Sequence, residues 1–212
     1  PCAVSASANV TFPQVNGVNT FIGGKLKNWE GEVVDVESPV FSEETGKKIV
    51  IGQLSQMGEK DALEALDAAV AAWDQGQGQW PQMSLASRIA AIEAFVTEMR
   101  SSRDEIVNIL MWEICKTTAD AAKEFDRTMD FIASTISTLH RQVEDGLGQW
   151  TTASGVTAKV RRGPIGVSLM LAPFNYPRHE MYGLLSPALL MGNIVVMKLP
   201  NCGGLAHVPT AA

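Results

Sequence analysis

Apolar residues change their spacing along the chain, and each change marks a different kind of element. Residues 1–18 are small and polar at first and predict a loose arm. From Asn19 to Leu54 come short β-rich pieces, Thr20–Ile22, Glu32–Val36 and Lys48–Ile51, separated by Gly23-Gly24, Ser38-Pro39 and Thr45-Gly46. These read as hairpins. Helical spacing then takes over. Ala62, Leu66, Ala69, Val70 and Trp73 share one face of a first helix, ended by Gly76 and Gly78. Leu85, Ile89, Ile92, Val96 and Met99 form the stripe of a second, with Ser84 as its cap. Ser102-Arg103-Asp104-Glu105 has the capping-box pattern and opens a third. Thr117 precedes the longest helix, whose stripe is Phe125, Met129, Ile132, Ile136, Leu139 and Val143.

Residues 147–162 alternate weakly between glycines and predict an extended hairpin with little core of its own, stable only against something else. A different pattern follows. Gly166–Leu171 is apolar without helical period, the loop Ala172–Pro177 follows, and a helix is expected from about His179 to Leu190. After Met191-Gly192-Asn193 a second apolar run, Ile194–Met197, ends on Lys198. Strand, crossover helix and strand make a βαβ unit, and unbroken apolar strands suit a parallel sheet covered on both faces. The fold class is therefore α/β: residues 19–146 β-rich and helical, 147–162 a hairpin, 163–212 the opening of a parallel-sheet core. Two parallel strands leave bare edges, and the last residues read as the start of a second crossover helix, so the visible fold is unfinished.

Composition narrows the partners. A net charge of -6 over 212 residues argues against a nucleic-acid or anionic-membrane surface. The three cysteines, Cys2, Cys115 and Cys202, show neither pairing nor metal spacing, which fits a reducing compartment. No run has the length of a transmembrane helix. The expectation is a soluble protein of the cytoplasm or an organelle matrix.

In open α/β sheets ligands settle outside the carboxyl ends of the strands, where Asn175 and Lys198 fall. Asn175 lies between Pro173 and Pro177, each of which fixes its own φ and restrains its predecessor, Ala172 or Tyr176. An amide held on so stiff a loop suits an oxyanion donor; it equally suits a turn residue that satisfies backbone groups. Lys198 needs an acceptor, either cofactor hydroxyls and phosphates or a structural carboxylate. His140, His179 and His207 are scattered and read as surface or cap residues. Cys115 reads as buried and inert, and Glu113 and Glu124 as solvated helix residues rather than general bases. Neither GxGxxG nor GxxxxGK[ST] occurs.

With those residues identified, the stretch from Gly163 to Lys198 resembles the aldehyde dehydrogenase superfamily. The resemblance rests on Gly163-Pro164-x-Gly166-Val167, Pro173-Phe174-Asn175-Tyr176-Pro177, Pro187-Ala188-Leu189, Gly192-Asn193 and Val195-Val196-Met197-Lys198, in order and correctly spaced. With Trp112–Lys116 and Glu124–Thr128 upstream, it is most similar to the non-phosphorylating, NADP-dependent glyceraldehyde-3-phosphate dehydrogenase branch. The resemblance implies an incomplete Rossmann-type cofactor domain binding NADP or NAD. Asn175 would be the oxyanion-stabilising residue, and Leu171, Ala172, Pro173 and Phe174 would line the nicotinamide side. Lys198 would hold the adenosine ribose or its 2′-phosphate. Asn201 stands where many NAD-preferring members carry a Glu, which favours NADP. Arg127 and Tyr176 would contact the substrate phosphate, and residues 147–162 would be the oligomerisation segment of a homo-oligomer. The family's nucleophilic Cys and general-base Glu lie past Ala212, and none of the three cysteines replaces the former. The chain alone is therefore expected to be inactive, its catalytic part lying further along the polypeptide or in a partner chain. The implied reaction is oxidation of a small aldehyde, glyceraldehyde 3-phosphate, to its acid. The rival reading is a non-catalytic chain of the same fold that binds or assembles.

Overall fold

The β-rich opening builds a four-stranded sheet in the order β1-β5-β6-β2. The computed structural model describes residues 5–6 and 11–211. β5 (Val33–Ser42) and β6 (Lys48–Ser55) form its antiparallel centre, and β1 (Ser5–Ala6) and β2 (Val15–Gly17) add parallel edges. The loose arm expected over residues 1–18 is thus partly paired; residues 1–4 and 7–10 of it lie outside the described residues. Alternation places Val36, Ser38 and Val40 of β5, with Ile49 and Ile51 of β6, on the buried face. Ser38-Pro39 is not a strand boundary. It sits in a register slip between Glu37 and Phe41, a bulge that tolerates a residue without an N–H. Ser38 stays satisfied there, its hydroxyl donating to the Trp112 carbonyl and accepting from Val40 N at 3.1 Å. β3 (Asn19–Ile22) and β4 (Lys25–Asn28) form the expected hairpin about Gly23-Gly24.

α1 (Glu59–Trp73) and the short α2 (Gln79–Gln82) lead into α3 (Leu85–Ser101), α4 (Arg103–Ile114) and α5 (Thr118–Glu144). The α3 and α5 stripes are buried as their spacing requires, apart from Leu85 and Val96, half-buried, and Val143, exposed. The α1 stripe is not: Leu66 and Val70 are exposed and only Ala69 is buried. Ser84 and Thr117 cap their helices by accepting from Ser87 N and Asp120 N, both at 3.1 Å. Ser102 makes no such bond, so the capping box is not formed. Residues from β2, β5, β6, α3, α4, α5 and α6 share one core.

The hairpin of β7 (Trp150–Ala153) and β8 (Val156–Lys159) is exposed at every residue. Its two-residue turn, Ser154 at φ 50° and Gly155 at φ 76°, has the positive φ values whose twist matches the strands. β9 (Val167–Leu171), α6 (Pro177–Leu190) and β10 (Ile194–Lys198) form the βαβ unit, in register from Val167–Ile194 to Leu171–Lys198. Asn193 explains the polar turn before β10. Its Oδ1 accepts from Ile165 N at 2.8 Å and Gly166 N at 3.2 Å, and its Nδ2 donates to Ala188 O at 3.0 Å. One side chain thereby joins the entry of β9 to the exit of α6. In place of the expected second crossover helix, Leu205–Thr210 forms a 3-10 segment containing Pro209. It lies against β2, β6, α3, α4 and α6. Gly52 makes room for it, since a Cβ there would stand 3.0 Å from Leu205. No helix among the described residues is long and apolar enough to cross a membrane.

Candidate active site

Pairing of Leu171 with Lys198 places the carboxyl ends of β9 and β10 side by side, so the two following loops leave the sheet together. They also touch. A Cβ on Gly203 would stand 2.6 Å from Pro177 and 3.6 Å from the Phe174 carbonyl. The sequence-selected residues divide between these loops: Leu171–Tyr176 on the first, Lys198 and Asn201 on the second. Most of them, including Leu171, Pro173, Phe174, Asn175, Tyr176, Lys198 and Asn201, are exposed. They form an open ledge. A groove of about 430 Å³ between α5 and α6 is lined by Phe131, Thr135, Leu139, Arg162, Pro187 and others, and by none of these residues.

Asn175 has no hydrogen-bond partner among the described residues, so its amide is not consumed by the turn. Lys198 Nζ donates to Asn201 Oδ1 at 2.9 Å. Neither alternative drawn from the sequence named that acceptor. Arg127 is exposed on α5, one turn beyond Glu124, without a contact to Tyr176. The structure thus joins Lys198 to Asn201 and leaves Asn175 and Arg127 pointing at no protein partner.

Two glutamates that read as solvated are buried, and each holds one loop. Glu124, from the first turns of α5, accepts from Arg178 N at 3.0 Å and His179 N at 3.2 Å through Oε1. These are free donors of the first turn of α6, immediately after Asn175. The seat an anion would take at that helix N-terminus is therefore filled by a protein carboxylate. Its Oε2 pairs with Lys116, whose ammonium lies 3.9 Å from the centre of the Tyr176 ring. Glu113, near the end of α4, accepts from Gly203 N at 2.8 Å and Leu205 N at 3.2 Å. Burial pushes its carboxyl up to about 7, with those amides pulling the other way.

Cys115 is exposed, not buried, and occupies the left-handed conformation that ends α4. The Cys202 thiol is raised by burial and by Glu113, opposite to what an activated nucleophile needs; Cys2 lies outside the described residues. His140 is exposed and His179 half-buried at the start of α6, but His207 is buried. Burial first, and then Arg178, lowers His207 to about 3, which leaves it neutral. Arg178, also buried, lies over the Tyr182 ring at 4.8 Å and donates to the Ala206 carbonyl. Glu113, Glu124 and His207 escaped the sequence reading because they meet backbone groups or side chains remote in the chain, and Lys116 because its partner Glu124 read as solvated.

Residues 30–207 match the profile of the aldehyde dehydrogenase family. The chain belongs to that family. It is 28% identical over 178 residues to N-succinylglutamate 5-semialdehyde dehydrogenase of Pseudomonas fluorescens (strain Pf0-1), covering 84% of this chain and 34% of that protein. The same enzyme of Acinetobacter baylyi is 28% identical over 180 residues, 85% of this chain and 34% of the relative. The chain thus spans about a third of the length of these relatives. Among solved structures, it is similar to NADP-dependent glyceraldehyde-3-phosphate dehydrogenase from Bacillus halodurans C-125 complexed with NADP. The TM-score is 0.74 at 23% identity, over 92% of this chain and 40% of that one. Betaine aldehyde dehydrogenase from Staphylococcus aureus in complex with NAD+ gives a TM-score of 0.76 at 20% identity, over 92% and 38%. These likenesses establish the aldehyde dehydrogenase fold.

Proposed function

We propose that this chain forms the cofactor-binding part of an NAD(P)-dependent aldehyde dehydrogenase, with NADP preferred and glyceraldehyde 3-phosphate as substrate. The observation that carries the reading is the contact of two strand-end loops, one presenting a free Asn175 amide and the other a Lys198–Asn201 pair. The residues fit a dinucleotide. Lys198 uses one donor on Asn201 and is exposed, so its remaining N–H groups are available to a ribose hydroxyl or phosphate. Asn201 brings no carboxylate to repel a 2′-phosphate.

The nicotinamide, when bound, supplies the hydride acceptor. The residues of this chain bind and orient. Asn175 donates its amide to the oxygen on which negative charge develops, and Arg127 with Tyr176 receives the anionic end of the aldehyde. Lys116, behind Tyr176, adds positive charge on the same side. The curated relatives bear the name of N-succinylglutamate 5-semialdehyde, also an anionic aldehyde, which makes it the second candidate. The wholly exposed β7–β8 hairpin, carrying Trp150 and Val156, is the segment that joins subunits.

Calorimetric titration of the chain with NADP and NAD tests the reading. NADP should bind more tightly by about tenfold, a difference of about 1.4 kcal/mol, and Asn201→Glu should abolish that preference. Equal affinities in the wild type would remove the NADP assignment. Binding of neither nucleotide would favour the non-catalytic alternative. In the enzyme that carries this chain, Arg127→Ala should raise the KM for glyceraldehyde 3-phosphate on the order of tenfold, as expected for a lost charge-assisted contact. An unchanged KM for that aldehyde would point to a different substrate.

A further inference from the structure

The stiffness of the Asn175 loop does not by itself aim the amide. Prolines 173 and 177 fix local shape, whereas orientation relative to the rest of the molecule needs an anchor outside the loop. That anchor is Glu124. Its Oε1 accepts from the amides of Arg178 and His179, two and three residues beyond Tyr176, while its Oε2 pairs with Lys116 beneath the Tyr176 ring. His179 is restrained again by Thr128, one turn along α5, with Oγ1 and Nδ1 3.5 Å apart.

A helix start needs only a neutral oxygen such as Ser, Thr or Asn supplies from the chain itself. Here Tyr176 is the capping residue and gives none. The chain instead brings a buried carboxylate from more than fifty residues away, together with its counter-ion, and burying such a pair is costly. The arrangement does something a local cap does not. It ties the first turn of α6 and the Tyr176 ring to a single point on α5, one turn from Arg127.

We propose that Glu124, with Lys116 as its counter-ion, is a positioning residue that sets where Asn175 and Tyr176 present their side chains to the aldehyde. This rests on the dehydrogenase reading above and adds to it a residue that touches neither substrate nor cofactor. The cofactor loop is held separately by Glu113, so disturbing Glu124 should act on the chemical step more than on the dinucleotide.

The test uses Glu124→Ala and Glu124→Gln in the enzyme that carries this chain. Steady-state kinetics and hydrogen exchange of the Arg178 and His179 amides are the readouts. The Ala variant loses both oxygens, and exchange at the two amides should rise on the order of tenfold or more. Its kcat should fall by about 100-fold, the scale of a misplaced reacting group, with the KM for NADP within about twofold. Gln keeps one acceptor oxygen and the side-chain volume but loses the charge on which Lys116 depends. It should recover most of the amide protection and stand between Ala and wild type in kcat. Unchanged kcat in both variants, or a fall accompanied by lost protection throughout α3, would overturn the proposal, the latter by showing a merely structural role. Should Ala fail to fold, an unchanged kcat in Gln would overturn it alone. Absence of aldehyde turnover in the unsubstituted enzyme is a separate result and would overturn the dehydrogenase reading.

Discussion

Glu113, which accepts from the Gly203 and Leu205 amides, and His207, buried two residues further on, titrate in opposite senses. Glu113 is raised from 4.5 to about 7 by burial. A carboxyl raised in the folded state contributes stability that is complete below pH 4.5 and is lost as pH rises through 7. His207 is lowered from 6.5 to about 3, again by burial before the Arg178 charge. Its contribution is complete above pH 6.5 and is lost as pH falls towards 3. Between pH 4.5 and 6.5 the two trends cancel, so the pair alone gives a plateau that declines on both sides. Glu113→Gln removes one arm. The difference in unfolding free energy between wild type and this variant should shrink by about 3 kcal/mol between pH 4.5 and 7. Urea denaturation of both proteins at several pH values measures it, and parallel curves would show that burial does not set this carboxyl. The placement of Asn175 and Lys198 at the strand ends was legible in the sequence because proline geometry and strand ends are local facts. The two glutamates were not. Glu113 meets amides some ninety residues away, and no pattern within α4 distinguishes it from a solvated glutamate.

Elements were legible where periodicity and packing agree. The α3 and α5 stripes bury most of their residues, and the Ser84 and Thr117 caps form where the pattern placed them. The α1 stripe has the same spacing, yet Leu66 and Val70 remain exposed. Spacing identifies a helix and its apolar face but not what the fold sets against that face. At the α4 end the sequence misled in another way. Apolar neighbours suggested burial of Cys115, whereas its backbone turns left-handed, φ 53° and ψ 38°, and carries the side chain outward. That conformation costs a residue with a Cβ about 1–2 kcal/mol. Cys115→Gly relieves it and gives back part through the freer unfolded chain. The expected net gain, up to about 1 kcal/mol, should raise the thermal midpoint by about 2–4 °C. A lowered midpoint in calorimetry would mean that the exposed thiol makes a contribution its surroundings do not suggest.

At the scale of the whole molecule, the βαβ unit was readable but the meeting of its loops was not, because it depends on a glycine packed against residues of another turn. Gly203 stands at φ +92°, and a Cβ there would press on Pro177 at 2.6 Å. The proline ring cannot swing aside as a long side chain could, so Gly203→Ala must move the Asn175 loop and the Lys198 loop apart. Gly46, in the β5–β6 turn, separates strain from collision. It too has a positive φ, +64°, but nothing lies within 4 Å of its would-be Cβ. Gly46→Ala should therefore cost only the left-handed penalty, about 1 kcal/mol, and leave nucleotide binding untouched. Gly203→Ala should cost that and an overpacking term of about 1–3 kcal/mol. It should also weaken NADP binding on the order of tenfold, since two halves of one binding surface no longer keep their spacing. Chemical denaturation and nucleotide titration of both variants give the comparison. If the two alanines destabilise equally and neither changes NADP affinity, the loops do not act as one surface, and the cofactor reading loses its geometric basis.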